Sequence, residues 1–192
     1  MTQMAPGRLT YRNPLWPGHF AQVFIGLSSL LELALAVITR EAQDDRLVEA
    51  LLVADGVSTI AAMVAFLTWF RRCRDNAELR LPGSVSYTRG WALGAWFNPL
   101  YMWWRPRRIA MDIYRAGVDR TSPDPNGRLI NAWWAAWIAS IGAPFLPFDA
   151  QGANKVLNLI AAVLAIMVIQ RITAPQRHHA PMEPALTPHL SV

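Results

Sequence analysis

The chain has 192 residues, 53% of them apolar or aromatic and only 16% charged, against roughly 25% charged in soluble domains. Most of the apolar residues fall in long unbroken blocks rather than at amphipathic spacing, which a water-soluble core does not need and a bilayer does. The net charge of +5 does not signal nucleic acid, because the arginines sit beside the apolar blocks instead of along a soluble helix or sheet. A single cysteine, Cys73, excludes an internal disulfide and a cysteine-based zinc site.

In chain order, residues 1–19 carry Pro6, Gly7, Pro14, Pro17 and Gly18 and read as an N-terminal tail. The membrane domain then runs over 20–172. Its first span, about 20–39, is long enough for a hydrocarbon core and too long for a usual signal-peptide h-region, although Ala34-Leu35-Ala36 leaves cleavage open. A polar hairpin, 40–46, leads to a second span at about 48–70, whose helix continues into water as RRCRDNAELR until Leu81-Pro82-Gly83 stops it. Further spans are expected at about 129–148 and 153–172, and 173–192 reads as a disordered tail with four prolines.

Between the second and third spans, 88–104 is apolar but broken by Asn98-Pro99. Basic residues mark cytoplasmic loops. With four spans and both termini inside, 15 of the 18 basic residues are cytoplasmic and 3, Arg40, Arg46 and Lys155, are outside; if 88–104 also crossed, the division would be 8 against 10. The segment is therefore read as re-entrant or interfacial, with Asn98-Pro99 covered by the spans, since irregular backbone is not tolerated against lipid. Residues 106–117, PRRIAMDIYRAG, place Arg108, Asp112 and Arg115 on one stripe, which Asp119 continues, and Ile109, Ile113 and Ala116 opposite, an amphipathic interfacial helix with Pro106 at its start. The fold class expected is all-α: a helical integral membrane protein with four transmembrane helices, a re-entrant or interfacial segment and an amphipathic helix.

The motifs Arg72, Asn76 and Ala77; Gly90, Trp91, Gly94, Trp96, Phe97 and Pro99; Trp104, Arg105 and Pro106; and Trp133, Trp134 and Trp137 resemble those of an uncharacterised family of bacterial, largely actinobacterial, membrane proteins, the domain of unknown function 4328. The resemblance covers roughly 60–172 and implies a multi-pass membrane fold without an assigned activity. Asn98 stands where an apolar residue is expected.

On this topology all nine tryptophans, Trp16 and Trp69 among them, lie towards the inner leaflet. One reading is an anchoring belt. The other is a lipid- or partner-binding platform: Trp96, Trp103, Trp133 and Trp137 wall a groove, Trp91 and Trp104 belong to the same face, and Arg105, Arg107 and Arg108 hold an anionic head group. Arg72 and Asn76, at i and i+4, either cap their helix and touch lipid phosphate or clamp the backbone around Asn98. Glu32 and Asp55, the two acidic residues more than a turn inside the spans, fall at similar depth in antiparallel neighbours, where they serve either as a proton or cation site or as a structural pair neutralised by Arg40 and Arg46. Cys73 sits at the cytoplasmic edge, a position open to acylation. No catalytic motif, cofactor or metal site is expected. The function read from sequence is a non-enzymatic membrane accessory or sensor whose Trp/Arg face binds anionic lipid, a protein partner or a second copy, with no nucleic acid. The alternative is a small transporter or channel subunit using the re-entrant segment and the Glu32/Asp55 pair.

Overall fold

Pro17 does not delay the first helix. The computed structural model, which describes residues 10–41, 45–117, 124, 126–145 and 151–177, starts α1 at Leu15 and carries it to Glu41. Proline is tolerated in a first turn, where its missing N–H has no intrahelical partner to lose, and the Leu15 N–H is taken by Asn13 Oδ1 at 2.9 Å. Helix α2, Asp45–Arg80, has 36 residues and so spans about 54 Å, well beyond a hydrocarbon core. Its polar continuation ends, as expected, in a turn at Leu81–Ser84, where Gly83 takes φ +79. Short α3, Arg89–Phe97, and amphipathic α4, Arg105–Gly117, follow. Then come α5, Arg128–Gly142, continued by a 3-10 turn at Ala143–Phe145, and α6, Gln151–Arg177.

Every described element is helical, and three helices are long and apolar enough to cross a membrane: Leu15–Thr39, Asp45–Arg80 and Gly152–Gln176. The expected span at 129–148 emerges as a 15-residue helix, about 22 Å long and short of a hydrocarbon core by itself; 146–148 lie outside the described residues. Helix α6 runs five residues past the expected start of the C-terminal tail at 173. Pro175 falls in its last turn, and Thr173 and Gln176 are buried there by partners on other helices. Position 119, placed by the sequence on the polar stripe of the amphipathic helix, and the tail from 178 on also lie outside the described residues.

The long helices form a horseshoe. Helix α1 packs along α2 and α6, and α6 along α5, but no Cα of α2 comes within 8 Å of one in α5. Antiparallel contacts set the register, with Ser58 Oγ donating to the Phe24 carbonyl and Gly18 lying against Trp69 and Ile169. Helix α4 runs beneath this assembly against α2, α5 and α6. It buries Ile109, Ala110, Met111, Ile113 and Tyr114, so its apolar face is covered by protein, whereas an interfacial helix would turn it to lipid. Trp69, Phe70, Cys73, Val168 and Ile169 complete this core. We call this the basic end of the bundle; the Glu32 end is the far end.

Candidate functional site

Three clusters gather the residues singled out by sequence. In the first, Trp96 is a hub. Its ring centroid lies 5.3 Å from Phe66, 5.7 Å from Phe70 and 5.7 Å from Trp137, all nearly edge-to-face, and 6.4 Å from Trp133. Such pairs add about 0.5–1.5 kcal/mol each beyond area burial. The Trp96 indole N–H is buried among these rings with no lone-pair acceptor. Of the four expected groove walls, Trp96, Trp133 and Trp137 therefore meet. Trp103 does not: it is 45% exposed, and its carbonyl accepts from Trp134 Nε1 at 3.2 Å. Phe66 and Phe70, one turn apart on α2, complete the cluster and were visible in sequence only as apolar span residues.

The second cluster surrounds Arg105. Its guanidinium lies 3.6 Å from the Tyr101 ring centroid, 4.5 Å from that of Trp91 and 5.1 Å from that of Tyr87. Arg107 Nε donates to Asn131 Oδ1 at 2.9 Å, and Arg108 is exposed. The three arginines expected to share one head group thus have different surroundings, because aromatic faces take the first of them. Asn98 accounts for its own departure from the expected apolar residue: its Oδ1 accepts from the N–H groups of Leu100 and Tyr101, and its carbonyl from those of Tyr101 and Met102. The break is satisfied locally, so Pro99 is exposed rather than covered by the spans as expected. Trp104 is half exposed and stacks edge-on to Tyr101 at 5.9 Å.

The third cluster lies where α2 leaves the spans. Asn76 Oδ1 accepts from the Arg12 N–H at 3.0 Å, while its Nδ2 donates to the Arg12 carbonyl and to Gln176 Oε1, each at 2.9 Å. Arg72 Nη1 donates to the Asn13 carbonyl at 2.7 Å. The pair thus clamps the segment before α1 and the end of α6, and the expected clamp on the backbone around Asn98 is not formed; a main chain with unpaired groups lay nearer. Tyr11 donates to the Gln176 carbonyl at 2.7 Å, and burial pushes its hydroxyl pKa up. Cys73 is fully buried in the same place, closed to acylation in the folded chain.

Beside this clamp, a groove of about 280 Å³ is lined by Arg12, Arg71 and Arg72 at one side and by Val64, Leu67, Leu93 and Phe97 at the other. Asp75 also borders it and is paired with Arg74 at 3.2 Å. Of the three arginines the sequence singles out only Arg72, because Arg12 and Arg71 join it through the fold rather than through spacing.

A cavity of about 500 Å³ lies inside the horseshoe and is lined by Ser28, Ser29, Glu32, Phe66, Trp137, Ser140 and Asn158 among others. Glu32 has both Asp55 and Lys155 close enough to act on it electrostatically. Asp55 Oδ1 is buried without a hydrogen-bond partner. Among the described residues no group of three or more His, Cys, Asp or Glu side chains is placed to hold a metal.

Helices of this length and hydropathy, with a basic, tryptophan-rich end, define a helical membrane-type protein. The chain belongs to the family described as domain of unknown function 4328 (DUF4328), whose model matches residues 33–148. The match starts earlier than the expected 60 and ends before α6. No curated protein and no solved structure matches the chain.

Proposed function

We propose that the chain is a four-span inner-membrane protein with both termini cytoplasmic, α5 and its 3-10 turn forming the short fourth crossing, and that it acts as a non-enzymatic accessory whose basic end holds anionic phospholipid. The observation that carries the reading is the groove at the root of α2. Arg12, Arg71 and Arg72 line it together with a single carboxylate, Asp75, and with the apolar side chains of Val64, Leu67, Leu93 and Phe97. That combination of charge and apolar surface matches a phosphate head group with its acyl chain below it. Arg105, Arg107 and Arg108 on α4 add to the basic charge at this end of the bundle.

The side chains of Arg12 and Arg71 are the ones to test, because the Arg12 hydrogen bonds to Asn76 use only its backbone. Arg12→Gln/Arg71→Gln should lose phosphatidylglycerol or cardiolipin carried through detergent exchange, read by native mass spectrometry, while Arg107→Gln/Arg108→Gln keeps most of it. Equal retention by both variants and the parent would sink the proposal. Orientation is tested separately by a cysteine at exposed Asn126 in a Cys73→Ser background: an impermeant maleimide should label it only after cells are opened.

A further inference from the structure

The cavity inside the horseshoe has an opening towards lipid. Helices α2 and α5 stay more than 8 Å apart at their Cα atoms throughout. Only side chains cross the gap, with the Phe66 and Trp133 centroids 6.0 Å apart at the end nearer the basic face. Its length follows from the residues that line it. On α1 these run from Ile25 to Glu32, and on α2 from Thr59 to Leu67, which is about 10–12 Å at the helical rise. The walls are held open by small side chains, among them Ala62, Ala161 and Ala165. A void of about 500 Å³ deprives its lining of dispersion partners and is within the range of small-molecule pockets.

Its chemistry is polarised. Aromatic faces of Phe66, Trp133 and Trp137 stand at the end nearer the basic face, and Glu32 is the only ionisable group among the lining residues. Lys155, although it acts on Glu32, does not line the cavity. The hydroxyls of Ser28, Ser29 and Ser140 are spent on carbonyls of their own helices, and a mostly apolar chamber with one carboxyl and several ring faces complements a compact apolar cation better than a neutral chain or an anion.

We propose that this cavity binds a lipophilic organic cation drawn sideways from the bilayer through the α2/α5 gap, with Glu32 as counter-ion and the aromatic rings against its apolar body. The inference needs α1, α2, α5 and α6 to lie in lipid, as in the topology proposed above, but not the anionic-lipid groove.

The test uses two probes of one shape and opposite charge on the full chain in detergent micelles. Radiolabelled tetraphenylphosphonium should bind saturably near one per chain, and tetraphenylborate should not. Glu32→Gln should weaken the cation at least about tenfold, a loss of about 1.4 kcal/mol. Ala162→Leu, which fills the cavity and leaves the carboxyl alone, should abolish binding, while Cys73, still protected from maleimide, reports that both variants are folded. Two results would overturn the proposal. Equal binding of both ions, or an unchanged Glu32→Gln, would make the chamber a neutral lipid site. Absence of cation binding together with cross-linking of Met63→Cys copies would mean that a second copy covers the gap. Failure of the lipid-retention test would leave this result standing, whereas Asn126→Cys labelling in unopened cells would remove the topology on which both proposals rest.

Discussion

On one side of Thr68, helix α2 buries Trp69, Phe70 and all of Cys73–Ala77; over the whole stretch from Asp45 to Thr68 it buries only Ser58 and Ala62. The same helix follows two packing regimes. Towards the far end, Val53, Val57, Ile60 and Val64 are exposed, as suits a helix surrounded by lipid, which is as apolar as the side chains it meets. At the basic end the apolar face of α4, the end of α6 and the segment before α1 close over α2 and bury a polar network as well. Specific structure is therefore concentrated at one end of the bundle, and the far end owes more to the bilayer.

That contrast is open to breakage at its strongest point. Asn76→Ala removes three hydrogen bonds and leaves the Arg12 N–H and the Gln176 amide without their partners, a loss of about 3 kcal/mol at roughly 1 kcal/mol each. A thiol-reactive dye reads it directly, because Cys73 is inaccessible until this core opens; a midpoint unchanged from the parent would mean that the network contributes little. Next in size is Arg105→Gln, which empties the cage of Tyr87, Trp91 and Tyr101 at a cost of about 1 kcal/mol. Trp91 emission should shift with it, and an unaltered spectrum would place Arg105 elsewhere in solution. Val57→Ala, 64% exposed at the far end, should change the dye midpoint by less than about 0.5 kcal/mol.

The smallest expected effect depends on pH. Asp124 holds the start of α5, accepting from the Arg128 N–H at 2.9 Å and the Leu129 N–H at 3.2 Å. Those bonds, the Arg128 one foremost, hold its carboxyl pKa below the ordinary value. A depressed carboxyl stabilises the fold fully above its ordinary value, and this contribution is lost as pH falls through the folded-state value. The parent should thus lose slightly more stability than Asp124→Ala between pH 5 and pH 2, and parallel curves would contradict the assignment.

Hydropathy and charge made the long helices and the polar continuation of α2 to Arg80 legible, because each depends on residues near one another in sequence. Helix ends were misread at Pro17 and Pro175, since a proline at a terminus looks in sequence like one that breaks a helix. The clamp was invisible for a different reason. Asn76 meets partners 64 and 100 positions away, while spacing rules reach one helical turn. Arg105 looked like a lipid ligand because nothing local showed that Tyr87, Trp91 and Tyr101 would surround it.

The clamp at Asn76 also sets a timetable. It joins Arg12 to Gln176, so the core of the basic end cannot close until α6 has been made. At about 5–20 residues per second, the 100 positions separating Asn76 from Gln176 amount to roughly 5–20 s of synthesis. Until then Trp69 lacks its partner Thr173, and α4, once made, lacks its neighbours on α6. During biogenesis this is when quality-control proteases have their best access to the chain, and shelter beside the insertion machinery matters most.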